Sequence, residues 1–136
     1  MVFAVIDTNV IVSALLAQNR NDSAPFSVLN AVFRGVIIPI ISNAILEEYQ
    51  EVLNREKFSF DKKKIERFLD QFKAQALIIN PPHTNKTLPD KKDICFYDAA
   101  IVYLELGGIL VTGNIKHFPD CPFAVTPAQI KEKLKL

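Results

Sequence analysis

Residues 2–9 read Val2-Phe3-Ala4-Val5-Ile6-Asp7-Thr8-Asn9, and this stretch decides the fold. A continuous apolar run rich in β-branched and aromatic residues, with no polar alternation, describes a strand buried on both faces, as in the middle of a parallel sheet. The run ends abruptly in three polar residues. The following Val10–Gln18 has helical character, because Ala14, Leu15 and Leu16 favour helix over its β-branched residues. A central strand therefore delivers Asp7, Thr8 and Asn9 at its carboxyl end, where a helix begins. In open parallel sheets that edge is where ligands bind.

The rest of the chain continues the alternation. After a polar loop at Asn19–Ala24, Asp22 or Ser23 can cap a second helix, with Pro25 tolerated in its first turn. Val28, Leu29, Val32 and Phe33 give it one apolar face, and Gly35 stops it. Val36–Ile41 is a second strand, which Pro39 marks as short or near an edge. Ser42 caps a third helix, Asn43–Asn54, whose buried stripe is Ile45, Leu46, Tyr49, Val52 and Leu53. A fourth helix starts at Asp61 and repeats Ile65, Phe68, Leu69 and Phe72 at helical spacing. A short strand at Ala76–Ile79, a loop at Asn80–Lys92, a helix from Asp93 to about Leu106, strands at Ile109–Thr112 and Phe123–Val125, and a helix at Pro127–Leu136 complete the series. The expected fold is a three-layer α/β/α arrangement with a mostly parallel central sheet, forming one domain over residues 1–136.

Composition narrows the function classes. With 136 residues, 49% hydrophobic and 23% charged, the chain has ordinary globular composition and is not intrinsically disordered. Sixteen basic side chains against 15 acidic leave a net charge of +1, so any grip on nucleic acid must come from local patches. Cys95 and Cys121 lack metal-ligand spacing and read as reduced, structural thiols. The apolar start carries no Lys or Arg, and Asp7 and Asn9 interrupt it, so it does not read as a signal peptide. No segment approaches a membrane span, and the expectation is a soluble, cytoplasmic protein.

Three elements bring polar groups to the carboxyl edge of the sheet: Asp7, Thr8 and Asn9; Ser42, leading into Glu47 and Glu48; and Thr112, Gly113 and Asn114. Asp93 and Asp98 precede the strand that ends at Thr112. Taken singly, most have ordinary explanations. Asp-Thr-Asn can be a helix cap, Glu48 a solvated helix residue, Asp93 an N-cap, and His83 and His117 surface groups. Asp98 is less ordinary, since it lies among Phe96, Tyr97, Ala99 and Ala100, where an unpaired carboxylate is costly. Carboxylates packed together repel, and one must take a proton unless a cation intervenes. Oxygen ligands without a His/Cys set favour a hard cation, Mg²⁺ or Mn²⁺, and such cations suit phosphoryl chemistry.

The segments Ile6–Val10 (IDTNV), Ser42–Phe58 (SNAILEEYQEVLNREKF), Asp90–Ala100 (DKKDICFYDAA) and Leu110–Pro119 (LVTGNIKHFP) resemble the PIN domain. More closely, they are similar to the bacterial VapC-like toxins of toxin–antitoxin pairs. The resemblance implies a metal-dependent endoribonuclease cutting single-stranded RNA, with Mg²⁺ or Mn²⁺ in an acidic site. It also implies an antitoxin protein as partner, and a homodimer. By motif the first acid falls on Asp7 and the helix glutamate on Glu48. The third falls on Asp98 or Asp93, with Asp98 preferred for direct ligation because it lies further inside its helix. The fourth position carries Asn114 where many relatives have Asp, which lowers the charge of the site. Thr8, Asn9, Ser42, Thr112 and Gly113 would support the ligands or contact phosphate.

For the RNA backbone, Lys91, Lys92, Lys116 and His117 border the motif loops in sequence. The denser basic run from Arg55 to Lys73 is interleaved with acids and reads as solvated helix surface. An aspartyl-phosphate phosphatase would want a second acid at position 9, where Asn stands. A dinucleotide-binding fold would want a Gly-rich turn after the first strand. The remaining alternative is a catalytically weak PIN fold acting as a binding or regulatory module through dimer or antitoxin contacts.

Overall fold

The computed structural model describes residues 1–17, 20 and 22–136; Gln18, Asn19 and Asn21, at the end of the expected first helix and in the loop after it, lie outside the described residues. Among the described residues five parallel strands form one sheet in the order β3-β2-β1-β4-β5, with β1 Val2–Ile6, β2 Ile37–Ile41, β3 Leu77–Ile78, β4 Ile109–Val111 and β5 Ala124–Val125. The helices are α1 Thr8–Ala17, α2 Ala24–Phe33, α3 Asn43–Leu53, α4 Lys62–Gln75, α5 Ile94–Ala100 and α6 Pro127–Leu134. They cover both faces of the sheet and complete the three-layer α/β/α fold that the alternation predicts. No helix among the described residues is long and apolar enough to cross a membrane.

The continuous apolar run of β1 occupies the centre of the sheet, between β2 and β4. Ala4, Val5 and Ile6 are fully buried there. Each Val or Ile so buried contributes about 1.5–3 kcal/mol. The chain passes from β1 to β2 on one side and reaches β4 on the other, so the strand order reverses at β1. The crevice at such a switch point opens beyond the carboxyl ends of the two neighbouring strands. Here those ends are Asp7 and Thr112.

β2 is five residues long and lies next to the edge strand β3, as Pro39 suggests. Val36 O accepts from Val2 and Ile41 O accepts from Ile79 N, so by alternation Pro39 turns its nitrogen towards β3. The β3 ladder begins only at Ile40 and Leu77, one residue later, and the missing N–H costs no bond. The helix expected from Asp93 to Leu106 is broken into three pieces. A 3₁₀ turn, Lys91–Asp93, leads into α5, and a further 3₁₀ segment, Ile101–Leu106, bends at Tyr103 (φ −111°, ψ 17°). The Gly108 N–H donates back to Tyr103 O at 2.8 Å, and a Cβ at Gly108 would lie 2.8 Å from that oxygen. The close return demands glycine, and it ends the helix. Cys95 and Cys121 are free thiols.

Tyr49 ties α3 to the sheet. Its fully buried ring meets Phe72 edge-on at 5.7 Å, and its hydroxyl donates to the carbonyl of Ile6, the residue before Asp7. A buried bond of this kind holds Glu48, its neighbour on α3, at the end of β1.

Candidate metal centre

Strand register places the first two site residues side by side. Ile6 pairs with Val111, and the Asp7 N–H donates to Val111 O at 2.9 Å, so Asp7 and Thr112 leave the sheet together. The Thr112 hydroxyl donates to Asp7 Oδ2 at 2.7 Å, and Asn9 Nδ2 donates to the same oxygen at 3.2 Å. Asn9 Oδ1 in turn accepts from the Gly113 N–H at 2.9 Å, and Thr112 Oγ1 accepts from the Asn114 N–H at 3.0 Å. A Cβ at Gly113 would stand 3.2 Å from Asn9 Oδ1, so the glycine permits this approach. The two loops are stitched together, and the stitching aims Asp7. Burial raises the Asp7 carboxyl above its usual range, against the Thr112 hydroxyl, the backbone of Thr8 and Asn9 and the charge of His117.

Asp93 stands opposite. It does not cap α5: no cap bond runs from its side chain, and the capping in this segment comes from Asp90, whose Oδ1 accepts from Lys92 N. Asp93 Oδ2 is buried without an aligned donor, although His117 Nδ1 stands 3.0 Å away. Burial first, then the charges of Asp7 and Asp90, push the Asp93 carboxyl up to about 6, and His117 opposes them. Ligand atoms of Asp90, Asp93 and His117 lie within 4.8 Å of one another. Half-buried Glu48 looks into the same field. Burial and Glu51 raise it, Asp7 adds to this, and Arg55 and Lys92 oppose.

Three carboxyls that burial pushes up, two of them also by neighbouring carboxylates, with a buried oxygen lacking a directed donor, form an arrangement a divalent cation relieves. The donors are mainly oxygen, which suits Mg²⁺ or Mn²⁺, and the imidazole of His117 is compatible with Mn²⁺. Burial and the charges of Glu48 and Asp93 push the neighbouring Cys95 thiol up to about 12.

The other predicted residues are distributed as follows. Asn114 is half-exposed at the end of the β4 loop, its backbone bonded to Thr112. Ser42 caps α3, accepting from Ile45 N at 3.2 Å. Thr8 is buried with its hydroxyl unpartnered. Lys91, Lys92 and Lys116 are exposed, and the charge of Lys92 reaches Glu48. His117 sits against Asp93. Asp98 does not join this group. It is buried one turn further along, where its Oδ1 accepts from both the N–H and the hydroxyl of Thr84.

The pattern of the PIN domain family matches residues 4–116, from within β1 to just past Asn114. The chain belongs to the PIN-domain family. An uncharacterized protein of Methanocaldococcus jannaschii is 31% identical over 113 residues, covering 81% of this chain and 69% of that protein. The crystal structure of VapBC2 from Rickettsia felis bound to a DNA fragment from their promoter is similar in fold. Its TM-score is 0.53 at 20% identity, covering 93% of this chain and 97% of that one.

In this PIN domain, sequence reasoning passed over Asp90 and gave His117 no role as a ligand. One signal was available. Asp90 and Asp93 are three apart, and in a 3₁₀ turn residues i and i+3 eclipse, so both carboxyls share a side. The segment read as a loop running into an α-helix, for which that spacing means less. The meeting of Asp93 with His117, 24 positions on, has no local signature.

Proposed function

We propose that this PIN domain is a metal-dependent endoribonuclease cutting single-stranded RNA in the cytoplasm, as the toxin of a VapC-like toxin–antitoxin pair. The observation that carries it is the buried Asp93 Oδ2, without an aligned donor and close to Asp7, with both carboxyls raised. Asp7 and Asp93 would hold Mg²⁺ or Mn²⁺ directly, with Glu48, Asn114, Asp90 and His117 around them. Asp93 takes the place expected for Asp98, whose Oδ1 is engaged by Thr84. A bound cation supplies Lewis acidity towards a phosphoryl oxygen and lowers the pKa of water. Thr112 and Asn9 orient Asp7. Lys91, Lys92 and Lys116 would receive the flanking phosphates. The likeness to VapBC2 supports an antitoxin partner, and a homodimer accords with that reading.

Asn114 favours a second reading, a catalytically weak binding module, because an amide contributes no charge to the cation. Cleavage decides between them. Labelled single-stranded RNA is incubated with wild type, Asp7→Asn and Asp93→Asn in Mn²⁺, Mg²⁺ and EDTA. Metal-dependent cleavage lost in both variants is expected. Equal cleavage in all three would reveal a contaminant, and the absence of cleavage across a broad RNA panel would favour the binding module.

A further inference from the structure

Beside the metal centre lies a second feature that the acid cluster does not use. A cavity of about 300 Å³ opens between the start of α3, the 80–84 segment and the first turn of α5. It is lined by Asn43, Asn80, Pro81, His83, Ile94 and Asp98, among others. Cys95 also lines it, and the charges of Glu48 and Asp93 act on that thiol, so the cavity adjoins the acidic site.

Asp98 gives the cavity its chemistry. Its side chain is only 6% exposed. Oδ1 is taken twice by Thr84, which anchors the 80–84 segment over the cavity. Oδ2 accepts no hydrogen bond from the described residues; His83 Nδ1 stands 3.8 Å from it, beyond bonding distance. That oxygen is not sealed off but faces the cavity, where it can accept from a donor held there. The volume lies at the lower end of small-ligand sites and suits one planar ring system. Pro81 and Ile94 offer apolar contact to its faces, and the Asn43 and Asn80 amides can meet its polar rim.

We propose that this cavity is a nucleobase subsite beside the scissile phosphate, and that Asp98 Oδ2 selects a base carrying an exocyclic amino group. Adenine, cytosine and guanine present such a donor; uracil presents an oxygen where adenine and cytosine carry the amino group. Single-stranded RNA is read in this way, by splayed bases bonded through their pairing edges. The identity of the substrate as RNA rests on the ribonuclease reading above. The subsite itself does not, because it is defined by a cavity and an unpaired acceptor.

Two measurements test it. In the first, the amides of ¹⁵N-labelled protein are followed by NMR during titration with guanosine, adenosine, cytidine and uridine, which carry no phosphate to bind the metal centre. Shifts concentrated at residues 42–44, 80–84 and 94–98 are expected, weakest with uridine. Asp98→Asn retains an oxygen for Thr84 and turns an N–H₂ towards the cavity, so the order should reverse in favour of uridine, by about tenfold in affinity ratio. In the second, cleavage sites in random-sequence RNA are mapped for wild type and Asp98→Asn, with the same shift in base preference expected. No localised shift with any nucleoside would overturn the subsite. So would cleavage by both proteins with one unchanged base preference, which would leave the nuclease reading intact. Nucleoside binding in the cavity without any RNA cleavage would support the subsite and count against the nuclease. Should Asp98→Asn not fold, the wild-type titration alone decides, together with His83→Ala, whose side chain is fully exposed.

Discussion

Replacing Asp93 with Asn should abolish metal-dependent activity and, at the same time, stabilise the metal-free protein. The carboxyl is held at about 6 in the native state, against 3.8 as its ordinary value. Between about pH 4 and pH 6 the native protein keeps a proton that the unfolded chain has already released. Native stability therefore falls as pH rises through that window and stays lower above it. About two pKa units at 1.36 kcal/mol each set an upper limit of about 3 kcal/mol. A neutral amide escapes most of this cost, so at pH 7.5 in EDTA Asp93→Asn should be more stable than wild type by about 1–3 kcal/mol. That corresponds to about 3–12 °C in Tm for a chain of this size, at about 3–4 °C per kcal/mol. The gap should close near pH 4, where wild type is itself protonated. Added Mn²⁺ should reverse the order. Wild type gains about 2.7 kcal/mol at a hundredfold excess over Kd, and the variant gains little. Urea or thermal melts over a pH series, with and without Mn²⁺, measure all of this. A variant less stable than wild type at pH 7.5 in EDTA would refute the account, since the carboxylate would then be a structural partner of His117. Equal Mn²⁺ stabilisation of both proteins would refute its role as ligand.

Three further outcomes are expected. Thr112→Val removes the donor to Asp7 Oδ2 and the acceptor for the Asn114 N–H, and should weaken Mn²⁺ binding about 10–100-fold with the fold retained, as isothermal titration and circular dichroism would show. Asn114→Asp adds a carboxylate at the edge of the site and should tighten Mn²⁺ binding; an unchanged Kd would place residue 114 outside the ligand sphere. Tyr49→Phe leaves the Ile6 carbonyl without its buried donor and should cost about 1–3 kcal/mol in urea denaturation, with a further loss of activity if the bond also positions Glu48.

The sequence alone determined the layered fold and the sheet edge at which the candidate site lies. A central strand and its helix-initiating polar triplet are local signals, because burial on both faces leaves an unbroken apolar run and the strand must end where polar side chains begin. Asp7, Glu48 and Thr112 follow from that edge. The tertiary structure decided what depends on backbone detail and distant partners. Depth within a helix pointed to Asp98, yet Asp93, at the end of the 3₁₀ turn before α5, is the carboxyl on which the charge of Asp7 acts, while Asp98 is bonded to Thr84. Pro39 marked β2 as short or near an edge, but only the register shows that the β3 ladder begins one residue later, where the missing N–H costs no bond. Local pattern reports which face of an element is apolar. Which carboxyl meets a histidine 24 residues away is set by how two loops pack, and no periodicity encodes that.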